Sequence, residues 1–347
     1  MKKLIVALAL TGACQGVLAQ QTVAGTTYFL PKTAVRISLL VEKECYTPGQ
    51  FAMYANRYMR KEGVVQTPAE NYRIVDVKMT ATSMPDSAKQ HTLVLDKKYT
   101  IAEVDRDESG ILLAINATGK RAAAPKPFVP APRKPALNAK DYMNEDILSA
   151  GSTAKMAELC AKEIYDIRDS RSQLSRGQAD FMPKDGAQLK LMMDNLDRQE
   201  KALLQVFEGV TTRDTVETVL TFVPSSETQQ QLLFRFSRKL GMVDADDLAG
   251  TPYYIQVAVK KHVDEPEAGN EKTSKDNLGL YVNLPEKVTV TLVHDGQPLK
   301  KIETYAGQFG RVECLSGELF NKKQTSRIVL NPLSGAIEKI ESETLVK

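Results

Sequence analysis

The period of the apolar residues changes twice along this chain, and that change limits its folds more than any other feature. Ala34-Val35-Arg36-Ile37-Ser38-Leu39 alternates apolar and polar side chains, the period of a half-buried strand. Tyr72-Arg73-Ile74-Val75-Asp76-Val77, His91-Thr92-Leu93-Val94-Leu95 and residues 110–115 are further strand candidates. In the middle the spacing becomes three, four and seven. Met156, Leu159, Cys160, Ile164, Ile167 and Leu174 form one stripe, and Leu189, Met192, Met193, Leu196, Leu203 and Phe207 a second. From Thr215 the period returns to two through Val223, and 232–236, 253–259 and 288–293 are strand-like. A chain patterned in this way is α+β.

Punctuation sets the boundaries. Pro48-Gly49 breaks the first strand, and residues 51–61 carry apolar residues at helical spacing with Gly63 as the expected cap. Ser152-Thr153 opens the first long helix; Gly177 and Pro183 interrupt, the second begins near Asp185, and Gly209 stops it. Two such helices predict an antiparallel hairpin with facing apolar stripes. Its Met-bearing stripe reads as a packed seam, with a partner groove as the alternative. Asp295-Gly296 is a hairpin turn, and Asn331-Pro332-Leu333-Ser334-Gly335 is a second turn.

Between the first strands and the helices lie Pro125, Pro127, Pro130, Pro132 and Pro135 among Ala, Lys and Arg. Such a tract predicts an extended, solvated connector, with a peptide ligand for a Pro-binding groove as the sharper alternative. The expected organisation is residues 1–19 a signal peptide, 20–118 a β-rich domain with one helix, 119–140 the linker, 141–209 the helical hairpin and 210–347 a second β-rich domain. The expected fold is thus two sandwich-like β regions joined by a Pro-rich linker and a long antiparallel helical hairpin.

Lys2 and Lys3, the apolar run 4–10 and Val17-Leu18-Ala19 before Gln20 have the order of a secretory signal. The run is far shorter than the ~20 residues of a membrane span. Thr11-Gly12-Ala13-Cys14 holds a competing reading, the small-small-Cys end of a lipoprotein box with Thr11 where Leu or Val is usual, and lipidation of Cys14 would anchor the chain to a membrane. Cleavage after Ala19 lowers the formal charge from +3 to +1 by removing both lysines. So even a balance is unlike a nucleic-acid reader, which concentrates basic residues on one face. Of the remaining cysteines, Cys160 reads as a small buried hydrophobe, and Cys45 and Cys314 lie in strand surroundings where pairing is open.

Motifs for chemistry are missing. There is no GxSxG, GxGxxG, Walker or HExxH pattern, and no Cys/His spacing suited to zinc. His91, His262 and His294 lie far apart, and surface or strand-end positions explain them more simply than a metal site. Asp105, Asp107 and Glu108, like Asp244, Asp246 and Asp247, suit turns and caps better than calcium, because the EF-hand series is missing. With no Trp, sugar stacking would fall to Tyr28-Phe29 or Tyr253-Tyr254, which read as core. No residue is nominated as catalytic, cofactor-binding or metal-ligating, and no cofactor is expected.

Leu30-Pro31-Lys32-Thr33, Val41-Glu42-Lys43 and Pro48-Gly49 resemble the opening of domain-of-unknown-function family 4831. Ile164-Tyr165-Asp166-Ile167-Arg168, Pro183-Lys184-Asp185-Gly186 and Leu196-Asp197 resemble its centre. Leu233-Phe234-Arg235-Phe236-Ser237, Gln308-Phe309-Gly310, Leu319-Phe320 and the 331–335 turn resemble its end. The resemblance implies an exported protein of Bacteroides and relatives, and it implies location and architecture rather than an activity. The expected role is a non-enzymatic cell-envelope binding or scaffold module in the periplasm or envelope, with another envelope protein as partner, no nucleic acid and no transmembrane span. The alternatives are a glycan- or peptide-directed hydrolase and a glycan-binding accessory.

Overall fold

The computed structural model describes residues 25–95, 98–132, 135–261 and 277–344. The expected signal segment, Cys14 and His262 lie outside these residues. Strand β1 (Gly25–Thr47) pairs antiparallel with β2 (Ala69–Val94) on one side and β5 (Val210–Phe222) on the other, giving a first sheet in the order β2-β1-β5. The alternation sorts its faces. Val35, Ile37 and Leu39 are fully buried on the inner face, and Arg36, Ser38 and Leu40 point the other way.

Against the inner face packs a second sheet, β10 (Gln297–Ser316), β9 (Asn277–His294), β8 (Thr251–Lys261), β6 (Thr228–Ser237) and β7 (Gly241–Val243), in that order. Phe234, Ile255, Val288, Val290 and Leu292 join Val35, Ile37 and Leu39 in one core. Asp295 (φ 49°) and Gly296 (φ 73°) both take the left-handed turn conformation that lets β9 and β10 meet in two residues. A third sheet, β12 (Ile337–Thr344), β11 (Gln324–Leu330), β4 (Leu112–Ile115) and β3 (Val104–Arg106), covers a second core of Tyr28, Leu30, Leu93, Leu280, Phe320 and Ile328. β1 and β9 run through both cores. Each meets a proline at a break in pairing, Pro31 beside the β1–β2 shift and Pro285 within the gap between the Ala306 and Arg311 pairings.

The strands before and after the helices are not separate layers in space. β1 pairs with β5 across about 170 intervening residues, and β4 pairs with β11 across more than 200. β1, left with β2 alone, would be half of an isolated ribbon, which water does not support; β5 and the second sheet supply the missing neighbour and the missing core.

The helices form a third cluster at the far end of the first sheet. The helix expected over residues 51–61 is shorter: one 3-10 turn (Ala52–Tyr54) leads into α1 (Ala55–Met59), and Arg60 at φ 52°, not Gly63, ends it. After a short turn, α2 (Glu145–Leu148), come α3 (Thr153–Arg176) and α4 (Gly186–Glu208). Ser152 accepts the Lys155 N–H at 3.2 Å, and Asp185 accepts that of Gln188 at 2.7 Å. Gly177 (φ 70°) closes α3 in the left-handed conformation. Arg168 reaches Glu200 at 2.6 Å and Arg171 reaches Asp197 and Glu200 at 2.8 Å, so partner numbers fall on one helix as they rise on the other. Ala157, Cys160, Ile164, Leu203 and Phe207 pack onto Phe51 and Ala55, which seats the helices on the end of β1. Cys45, Cys160 and Cys314 form no disulfide among the described residues, and burial pushes the Cys160 thiol up to about 12. No helix among the described residues is long and apolar enough to cross a membrane.

Candidate functional site

The residues weighed for chemistry that the structure describes meet as ring pairs, Tyr28 beside His91 and Tyr253 on His294, rather than as one cluster. His91, on β2, stacks its ring on Tyr281 at 4.3 Å between centroids, and burial lowers its pKa. His294, at the end of β9, stacks on Tyr253 at 4.0 Å and places Nδ1 3.1 Å from the Pro252 carbonyl. Tyr28 and Tyr253 are buried, Tyr28 donating its hydroxyl to the Gly279 carbonyl at 3.0 Å. The carboxylates of the acidic runs hold turns and chain crossings. Asp107 accepts the N–H groups of Ser109 and Ile111, each at 2.9 Å, Asp247 accepts that of Ala249 at 2.8 Å, and Asp105 accepts that of Gly119 at 2.8 Å. Among the described residues no group of three or more His, Cys, Asp or Glu could hold a metal ion.

Chemistry gathers instead on the outer face of the first sheet. Antiparallel register puts Ser38 opposite Lys78 on β2 and Leu40 opposite Glu217 on β5, with Arg36 opposite Thr80. All these side chains point away from the core, so three strands distant in sequence build one polar surface. The Pro-rich segment crosses it. Residues 119–132 have no regular secondary structure, as expected where prolines lack amide donors. Gly119 and Arg121 are tied to Asp105, and further along the Phe128 N–H donates to Glu217 Oε2 at 3.1 Å.

The result is a cavity of about 460 Å³ floored by Arg36, Ser38, Lys78 and Glu217 and roofed by Pro125 and Phe128. Glu217 is its centre. Its carboxylate accepts from Ser38 Oγ and from Arg36 Nη2 at 3.4 Å, besides the Phe128 amide. The Ser38 hydrogen bond first, then the Phe128 N–H and the charges of Arg36 and Lys78, hold this carboxyl below its usual pKa. Arg36 Nε is buried with no partner among the described residues. Farther along the same face the charges cancel in a ladder, Arg73 to Glu42 at 2.7 Å and Arg213 to Glu44 at 2.9 Å.

A second surface lies at the tip of the α3–α4 pair. Leu174, Phe181, Met192 and Leu196 line a shallow cavity of about 370 Å³, and Phe181, Met182 and Leu191 are exposed around it. The sequence places Met192 and Leu196 in a packed seam; both are half-buried, Leu196 against the helical core, and the exposed apolar side chains Phe181, Met182 and Leu191 lie off that stripe.

The sequence signal for the strap-covered face was weak. Arg36 and Ser38 fell on the polar side of an alternating strand, and nothing local ties them to Lys78, Glu217 or Phe128. The family model for a domain of unknown function, DUF4831, matches residues 24–338. No curated protein and no solved structure matches the chain. A match over nearly the whole chain places this protein in the DUF4831 family.

Proposed function

We propose that this protein is an exported cell-envelope module that binds another envelope protein and breaks no bonds. The observation that supports it is the apolar tip of the helical pair. Phe181 and Leu191 are each more than 60% exposed there, on an arm set on the end of a β body by its own core. Large apolar side chains clustered beside a shallow cavity are the usual mark of a protein contact. Export rests on the residues 1–19 pattern, and the interleaved sheets favour residues 25–118 and 210–344 folding as one unit.

Crosslinking in intact envelopes tests this. The full chain should yield a defined crosslinked partner, and Phe181→Ser with Leu191→Ser should lose it while folding normally. A monomeric, unassociated wild type, or a partner retained by the double variant, refutes the reading. A second reading, a small-molecule binding accessory, is favoured by the cavity under the Pro-rich strap.

A further inference from the structure

We propose that the outer face of the β2-β1-β5 sheet is a binding site for a small organic acid, its carboxylate taken by Arg36 and Lys78 beneath the strap of residues 125–129. This stands apart from the hairpin-tip reading and rests on different residues.

The charge balance comes first. Arg36, Lys78 and, from the strap, Lys126 line the cavity, against the single carboxylate of Glu217. Other acids on this face lie outside the lining: Glu42 is held by Arg73, Glu44 by Arg213, and Asp76 Oδ1 turns back to accept the Val77 N–H at 2.8 Å. Lys78 makes no ion pair among the described residues, in contrast to Arg73 and Arg213 on the same face. The cavity is therefore short of negative charge, and an anion supplies it.

Glu217 also shows how the site holds a carboxylate. A hydroxyl from Ser38, a guanidinium N–H from Arg36 and a backbone N–H from Phe128 already converge on it. It leaves two donors unused, Arg36 Nε and the Lys78 ammonium. A buried donor without an acceptor is costly, so an oxygen brought there is favoured. Because Nε is buried in the closed site, the ligand enters as the Phe128–Glu217 bond opens, and competes with Glu217 for Arg36.

The walls define the rest of the ligand. Leu40, Pro125, Pro127 and Phe128 give the cavity an apolar side, and about 460 Å³ is room for more than a bare ion. The fitting ligand is a carboxylate on a body with one apolar face.

The test is calorimetric titration of the full chain with glucuronate, with glucose as the neutral analogue and sulfate as the bare anion. Expected is saturable glucuronate binding with Kd of about 1 mM or tighter, no heat from glucose, and at least roughly fivefold weaker binding of sulfate. Lys78 is exposed, so Lys78→Met folds, and it should weaken glucuronate at least roughly fivefold. Glu217→Gln keeps the side-chain shape but removes the resident charge, and should tighten binding, which a merely structural Glu217 would not do. Absence of saturable binding, equal binding of sulfate, or a Kd indifferent to both substitutions overturns the proposal.

Discussion

The backbone N–H of Phe128 donates to the carboxylate of Glu217 at 3.1 Å, and the two residues are 89 positions apart. This bond ties the Pro-rich segment to a sheet assembled from strands on either side of the helical pair in sequence. Replacing Glu217 with Gln keeps an acceptor but removes its charge, so the strap should loosen. Limited proteolysis should then cut within residues 120–138 faster than in the wild type, with the β body unchanged. Equal cleavage rates would show that the strap is held by other means.

Glu303 carries the clearest acid dependence. Hydrogen bonds from Lys260 and Lys287 hold its carboxyl down to about 2. A folded pKa below the unfolded value of about 4.3 means the stabilisation is complete above that pH and drains away as pH falls toward the folded value. Urea midpoints measured from pH 5.5 to pH 2.5 should therefore drop less steeply for Glu303→Gln than for the wild type. Added salt should narrow the difference, because the group is at the surface.

Glu200 is buried between α3 and α4 and meets Arg168 at 2.6 Å and Arg171 at 2.8 Å. Glu200→Ala leaves two guanidinium groups facing each other. The arginines are partly exposed, which reduces the penalty to roughly 1–2 kcal/mol. Denaturant unfolding followed by far-ultraviolet circular dichroism should show that loss.

Asn283 pins the third sheet to the first. Its Nδ2 donates to the carbonyls of Pro31 at 3.0 Å and Ser334 at 2.9 Å, and its Oδ1 accepts from Lys89 at 3.3 Å. Gly307 and Gly335 lie so close that a Cβ on either would strike this amide. Asn283→Leu leaves two carbonyls buried without donors, a cost of about 2–4 kcal/mol. Thermal unfolding should report it as a lowered Tm.

Much of the local structure was legible in the residues. Ser152, Asp185 and Gly177 mark helix ends because capping is settled within four residues. Asp295-Gly296 marks a turn for the same reason. The interleaving was not legible. β1 chooses β5 over nearer strands through the shape of a shared core, and alternation alone shows a strand's faces without naming its neighbours. The length of β2 was hidden too, since Thr80, Ser83, Asp86 and Ser87 break the apolar rhythm between its two recognisable halves. The strap-covered face escaped because its members come from four separate segments. Arg36 looks like any solvated strand residue until Glu217 and Phe128 are set beside it.

Hydrogen exchange on the full chain, comparing wild type with Val290→Ala, tests the shared core most directly. Val290 lies on β9, fully buried in the same core cluster as Ile37 and Leu39 of β1. The substitution should cost roughly 2 kcal/mol. In an interleaved body, protection of the β1 amides at residues 35–39 falls by the same amount as that of β9. Undiminished protection of β1, with loss confined to residues after 210, would contradict it.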